Sequence, residues 1–213
     1  MTSSVTRTSG RGVTLLVTFG VCIIAIVGSM AQRGALPSAR VGRQPNGATL
    51  LPNGWRIAPA GRHIQIGDLP LNMAASVDGR FLVITNNGWT HPTLTVFDTK
   101  NEQVTGRVNV DNAWLGLAWS PDGSHLYSAG AAENTIYDFT WANGSLKEAG
   151  RISIGPAEHR TGGELLNAGF IGGLAIAPNG QTLYAIQVFG QAVSAIDLGS
   201  RKEVKKVSLA AEP

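Results

Sequence analysis

Only one cysteine, Cys22, occurs in 213 residues. It sits inside an apolar N-terminal run, so the rest of the chain has no thiol. Disulfides, thiolate catalysis and cysteine-type zinc sites are thereby excluded there. Charge is scarce as well, at 15 % of residues, and aromatics make up 7 %. A chain so poor in charge does not build long solvated helices. Arg7 and Arg11 precede the apolar run and every acid follows it, so beyond residue 31 the two signs nearly balance. The only basic cluster is Arg201, Lys202, Lys205 and Lys206, which alternates along an expected outer strand, where charge blunts an edge. No basic stripe with interleaved aromatics exists, and a nucleic-acid partner is not expected. The histidines His63, His91, His125 and His159 are far apart in sequence. No short metal-ligand spacing results, and neither metal nor cofactor is expected.

What is abundant is glycine, 27 residues, within a chain that is 43 % hydrophobic. That supports a packed core made of short elements and tight turns. At the N-terminus, residues 1–12 carry two arginines and no acid, and Val13–Ala31 is uncharged. A positive start, an apolar stretch and Ser29-Met30-Ala31 read as an export signal over 1–31, cleaved or retained as an anchor. The expectation is an exported protein, periplasmic or extracellular, or held at the inner membrane by 13–31. Residues 32–50, rich in Gly, Arg, Pro and Ser, read as a flexible spacer.

The remainder repeats. Ser76-Val77-Asp78-Gly79, Ser120-Pro121-Asp122-Gly123 and Ala177-Pro178-Asn179-Gly180 each lie between two short apolar strands. Asp-Gly and Asn-Gly accept positive φ and join antiparallel strands tightly, so Asp78, Gly79, Asp122, Gly123, Asn179 and Gly180 are assigned to structural turns. After each turn comes a third strand ending at Asp98, Asp138 or Asp197, where the acid is expected to accept backbone N–H groups. An alternating fourth strand follows, marked by Val108-x-Val110, Ile152-x-Ile154 and Val207-x-Leu209. Four antiparallel strands in roughly 40–45 residues make one β-propeller blade. The fold class is all-β, with blades at 69–110, 111–155 and 169–213, and a long inter-blade loop at 156–168.

These residues resemble the YVTN-repeat β-propellers of bacterial cell envelopes. Leu82-Val83-Ile84-Thr85-Asn86-Asn87-Gly88 is similar to the naming motif, and the two Pro-Asx-Gly turns to its strand-turn-strand signature. The stretch from Leu51 to Pro70 looks like the start of exported proteins that join such a propeller to a C-terminal phosphoesterase domain of alkaline-phosphatase type. Departures are Ser128-Ala129-Gly130 and Ala185-Ile186-Gln187, where Thr-Asn would be usual, and no WD dipeptide appears. The resemblance implies seven blades, of which about three are visible. It also implies that residues 51–68 supply strands that close the ring, and that the sequence is an N-terminal fragment. The partners it implies are the remaining blades, the C-terminal domain, and an unknown small molecule or envelope component.

No catalytic constellation is present in the sequence: nucleophile elbows, phosphate-cradling loops and paired carboxylates are missing. Loops on propeller rims bind ligands, which makes Trp89, His91, Asp111, Trp114, His159 and Arg160 the candidate ligand-binding residues. The leading reading is a non-catalytic binding or scaffolding module. A lactonase-like hydrolase on a seven-bladed propeller and a surface-layer structural protein are the alternatives.

Overall fold

The computed structural model describes residues 40–58, 60–155, 159–161, 164–166 and 169–209. The expected export segment and its apolar helix lie outside them. The chain divides into two units, Met1–Arg62 and His63–Pro213.

The first unit holds a three-stranded antiparallel meander: β1 (Gly42–Arg43), β2 (Thr49–Leu50) and β3 (Arg56–Ile57), in that order. Two Asn-Gly dipeptides make its turns. Asn46 Oδ1 accepts from Ala48 N at 3.2 Å and Asn53 Oδ1 from Trp55 N at 3.1 Å. Residues assigned to the spacer therefore carry two strands, because each side-chain carbonyl fixes a reversal of the backbone.

The second unit contains three four-stranded antiparallel sheets, each pairing its strands in chain order. Blade 1 is β4 (Pro70–Ala75), β5 (Phe81–Asn86), β6 (Thr93–Asp98) and β7 (Gln103–Asn109). Blade 2 is β8 (Leu117–Trp119), β9 (His125–Ala129), β10 (Thr135–Ala142) and β11 (Ser145–Ser153). A small hairpin follows, β12 (His159–Thr161) with β13 (Glu164–Leu166), inside the stretch expected to be loop. Blade 3 is β14 (Ile171–Ile176), β15 (Thr182–Gln187), β16 (Ala192–Asp197) and β17 (Lys202–Ser208). No helix occurs among the described residues.

Blade 2 packs against a sheet on each side, so its central strands β9 and β10 are buried along nearly their whole length rather than on alternate residues. Phe81, Val83, Leu94 and Val96 of blade 1 pack on Leu126, Tyr137, Phe139 and Leu146 of blade 2. Trp141 stands edge-on to Phe81 with ring centroids 5.3 Å apart, and Trp119 edge-on to Trp141 at 5.2 Å. The other face of blade 2, with Tyr127, Ala129, Ile136 and Ile152, packs on Leu183, Ala185 and Ile196 of blade 3.

The turns between the first and second strands of each blade share one design. Asp78 Oδ1 accepts from Arg80 N, Asp122 Oδ1 from Ser124 N and Asn179 Oδ1 from Gln181 N, at 3.1, 3.0 and 2.9 Å. Ser76 and Ser120 also donate hydroxyls to Asp78 and Asp122. Blade 3 has Ala177 in that place. The Ser120 hydroxyl, with the Ser124 N–H and hydroxyl, lowers the Asp122 pKa to about 2. A depressed carboxylate stabilises the fold above its unfolded value of about 4, and that contribution is lost as pH falls from about 4 through 2. Asp122→Asn, which mimics Asn179, is expected to flatten stability against pH in that window while leaving the melting temperature near pH 7 almost unchanged. An unaltered acid limb would count against the assignment.

One expected feature is corrected by the register. Asp98 and Asp197 do end their strands and accept turn N–H groups, from Lys100 and Asn101 and from Ser200. Asp138 does not. β10 runs four residues further, to Ala142, because its turn is the two-residue Asn143-Gly144, with φ of 50° and 83°. The partner of His125, in the register of Asp98 and Asp197, is Thr140, whereas Asp138 faces Tyr127 at mid-strand.

Candidate functional site

In an antiparallel meander the connections alternate between the two ends of the sheet. The β5–β6 loop, the β7–β8 link and the β11–β14 link therefore share one rim. Trp89 and His91 lie on the first, Asp111 and Trp114 on the second, and His159 and Arg160 on the third, within β12. All six sequence candidates belong to links at this rim, and Trp89, His91, Asp111 and Trp114 enter separate surroundings.

Trp89 is fully exposed at the tip of its loop. Asp111 forms an ion pair with Arg151 Nη1, and Arg151 also binds Glu148. The guanidinium lies 4.8 Å from the centre of the Tyr137 ring. Glu148 and Asp111 together push the Arg151 pKa further up. Trp114 packs edge-on against Phe170 at 5.2 Å, and Phe170 against Phe189 at 5.1 Å. Val188 and Phe189 remain about half exposed beside them. His159 and Arg160 pair with Leu166 and Leu165 through their backbones.

His91 lines a groove of about 350 Å³ with Gln65, Ile66, Gly67, Asp68, Asn86, Thr90, Thr93 and Arg107. One wall is the segment that precedes β4, which crosses the face of blade 1 turned away from blade 2. Thr95 Oγ1 donates to Ile66 O at 3.0 Å and Arg107 Nη2 to Gln65 O at 3.4 Å. A Cβ on Gly67 would stand 2.0 Å from Asn86 Oδ1. Only glycine lets the segment lie that close. Asp68 accepts from Thr90 N at 2.7 Å, and this N–H holds its carboxyl below the ordinary value. Asn86 is 2 % exposed, and among the described residues its Oδ1 accepts no hydrogen bond.

The opposite rim holds a buried carboxylate that sequence reasoning placed in the wrong register. Asp138, 1 % exposed, receives Arg201 Nη1 from the last turn of blade 3 at 2.7 Å and lies 2.7 Å from His125 Nδ1. Arg201 reaches it over Gly150, where a Cβ would meet Nη2 at 3.0 Å. His125 stacks on Tyr127, and both line a second groove of about 320 Å³ with Ser120, Asp122, Asn179 and Leu198. Burial, and then the Asp138 charge, pushes the Tyr127 pKa up to about 12. Arg201 and Lys206 are solvent-exposed, as the outer-strand reading expected, and each also makes a specific bond, Arg201 to Asp138 and Lys206 to Gln187 Oε1 at 2.7 Å. The legible signal for Arg201 was its place after Gly199-Ser200 in the turn, opposite a mid-strand acid one blade earlier.

No group of three or more histidine, cysteine or acidic side chains suited to a metal occurs among the described residues.

Comparison with known proteins supports the fold. No family model matches the chain, and no curated protein matches it. Among solved structures it is similar to the hydrazine synthase of Kuenenia stuttgartiensis, at 25 % identity and a TM-score of 0.54, over 72 % of this chain and 40 % of that one. It is similar to the RRP9 WD40 repeats at 14 % identity and a TM-score of 0.52, over 69 % of this chain and 40 % of that one. The Cps50 (Swd1) β-propeller domain of Myceliophteria thermophila gives 12 % identity and a TM-score of 0.52, over 67 % and 42 %. The chain spans about two fifths of the length of each. Its sheets are β-propeller blades.

Proposed function

We propose that this chain is part of an exported β-propeller whose work is binding or scaffolding, carried by the rim that holds Trp89, His91, Asp111 and Trp114. The observation behind this reading is that loops from successive rigid sheets bring aromatic and polar side chains to one end, with Trp89 wholly exposed. Exposed side chains held on a rigid frame lose little entropy when a partner arrives. The WD40 likeness accords with protein interaction in general.

The finer reading is a longer ring of the YVTN kind, joined to a phosphoesterase domain and exported through residues 1–31. Two features favour further blades. Blade 3 turns Tyr184, Ile186 and Val207 outward, each more than two fifths exposed, on the face away from blade 2. Such a face is the kind that a neighbouring sheet covers. On the opposite side of the stack, Ile64-x-Ile66 stands beside blade 1 in the pattern of Val108-x-Val110 and Ile152-x-Ile154, the outermost strands that pack forward onto the next blade. Residues His63–Gly67 would then be the outer strand of a closing blade.

Two measurements decide. Sequencing the gene beyond the codon for Pro213 should show further turn-centred repeats and then metal-binding carboxylates and histidines; a stop codon there would overturn the longer ring. For the rim, envelope components captured by the protein should be lost with the Trp89→Ala/His91→Ala double variant and kept with Asp78→Ala on the other rim. Equal capture by all three proteins would sink the rim assignment, and hydrolysis of sugar lactones would replace the binding reading with the lactonase-like one.

A further inference from the structure

The outermost strand of every blade carries a cation at one register position facing the preceding sheet: Arg107 opposite Thr95, Arg151 opposite Tyr137 and Lys206 opposite Ser194. Two of the three are neutralised or bonded from within. Arg151 binds Asp111 of the preceding link and Glu148, and Lys206 binds Gln187. Arg107 is different. Among the described residues it enters no ion pair, and its hydrogen bond to Gln65 O is long, at 3.4 Å. The link acid that corresponds to Asp111 is Asp68, one position further along when Ile66 is set against Val110. Among the described residues it pairs with no cation and instead takes the Thr90 N–H. Between acid and cation lies the 350 Å³ groove. The pair that is closed between blades 1 and 2 is open here.

Asn86, 2 % exposed, lies beneath the groove wall with its Oδ1 closed off against Gly67. One end of the groove therefore offers negative charge, at Asp68, and the other a guanidinium suited to a carboxylate, at Arg107.

We propose that this groove binds a small zwitterion, a molecule that carries an ammonium and a carboxylate, with the carboxylate on Arg107 and the ammonium on Asp68. Arg107 touches Gln65, three residues before Asp68, and three extended residues span at most about 10 Å. Subtracting a hydrogen bond of about 3 Å at each end leaves at most roughly 4 Å between the ligand's charged groups, room for a short amino acid. Thr93 and His91 border the space and limit its side chain. The inference stands on residues between His63 and Asn109 alone, so it does not fall with the longer ring or with loss of rim binding.

The test uses the full chain with glycine, β-alanine and 4-aminobutanoate as probes, and acetate and methylammonium as half-ligands. Two charge-assisted contacts predict a dissociation constant on the order of a millimolar. The readouts are the Thr90 amide shift in 15N NMR and the heat of titration. At least one zwitterion should saturate the shift, bind at least tenfold more tightly than either half-ligand, and lose tenfold or more with Arg107→Gln and with Asp68→Asn. Asparagine can still accept the Thr90 N–H, so that variant removes charge and keeps the loop. No saturable shift at ~10 mM with any probe would overturn the proposal, as would binding that survives both substitutions or acetate binding as well as the zwitterions do.

Discussion

Arg201→Met lowers the unfolding free energy by about 3 kcal/mol, because it leaves a buried carboxylate with His125 as its sole ionisable partner. Among the described residues, Arg201 is the only arginine or lysine paired with Asp138. Asp138 is 1 % exposed beneath Arg201, and methionine in that place offers the carboxylate no hydrogen bond. Ordinary surface pairs are worth about 0–1 kcal/mol, so a loss of that size would show that Arg201 acts as a surface residue. A double-mutant cycle in urea with Asp138→Ala should give a coupling of about 2 kcal/mol, since the second substitution removes the stranded charge. The pair joins two blades, so the damage is not local. Arg201 belongs to the β16–β17 turn and Asp138 to β10, and in the single variant blade 3 should exchange its amides faster than blade 1. Equal acceleration in all three sheets would contradict the role of Arg201 as the tie between blades 2 and 3.

The blades themselves were legible because the signals were local. An Asx-Gly turn, two apolar flanks and an alternating outer strand all lie within one hairpin or two, where periodicity and turn chemistry act directly. Asp138 was misread for the same reason. Three acids following three apolar strands looked equivalent, but blade 2 closes β10 on a two-residue turn while blades 1 and 3 use longer ones, so its strand runs past the acid. The first two strands of the meander, within 42–50, were hidden by composition: Gly, Arg, Pro and Ser suggest a spacer, and only the paired Asn-Gly turns distinguish a short sheet from one. The six rim candidates were placed on one end by connection order, which sequence does supply. Their contacts were not, since Asp111 meets Arg151 forty residues later and Trp114 meets Phe170 across an insertion. The Arg107–Asp68 groove could be recognised only by comparing three superimposable registers. Gly-Arg at 106–107 and 150–151 was the trace of it in the sequence.

Gly144→Ala is expected to cost about 3 kcal/mol, and Gly79→Ala about 1 kcal/mol, although both glycines sit in tight turns with positive φ. The backbone penalty is common to the two, since φ is 83° at Gly144 and 71° at Gly79. The space around them is not. A methyl at Gly79 meets nothing within 4 Å, whereas one at Gly144 would stand 2.6 Å from Phe81 Cε1 and 2.8 Å from its Cζ. Phe81 cannot step aside cheaply. Trp141 holds it edge-on at 5.3 Å, and the Arg80 guanidinium lies 4.9 Å from its ring centre. The turn of blade 2 is thus seated on the aromatic core of blade 1, and adding one carbon must either tilt the ring or lift the turn. Either movement disturbs Trp141 and, through it, Trp119, so the fluorescence of the folded protein should shift in Gly144→Ala and not in Gly79→Ala. Equal costs in urea and an unchanged emission spectrum would mean that the contact does not hold the two sheets in register. A larger loss confined to Gly144 would identify blade packing, beyond turn formation, as what fixes glycine there.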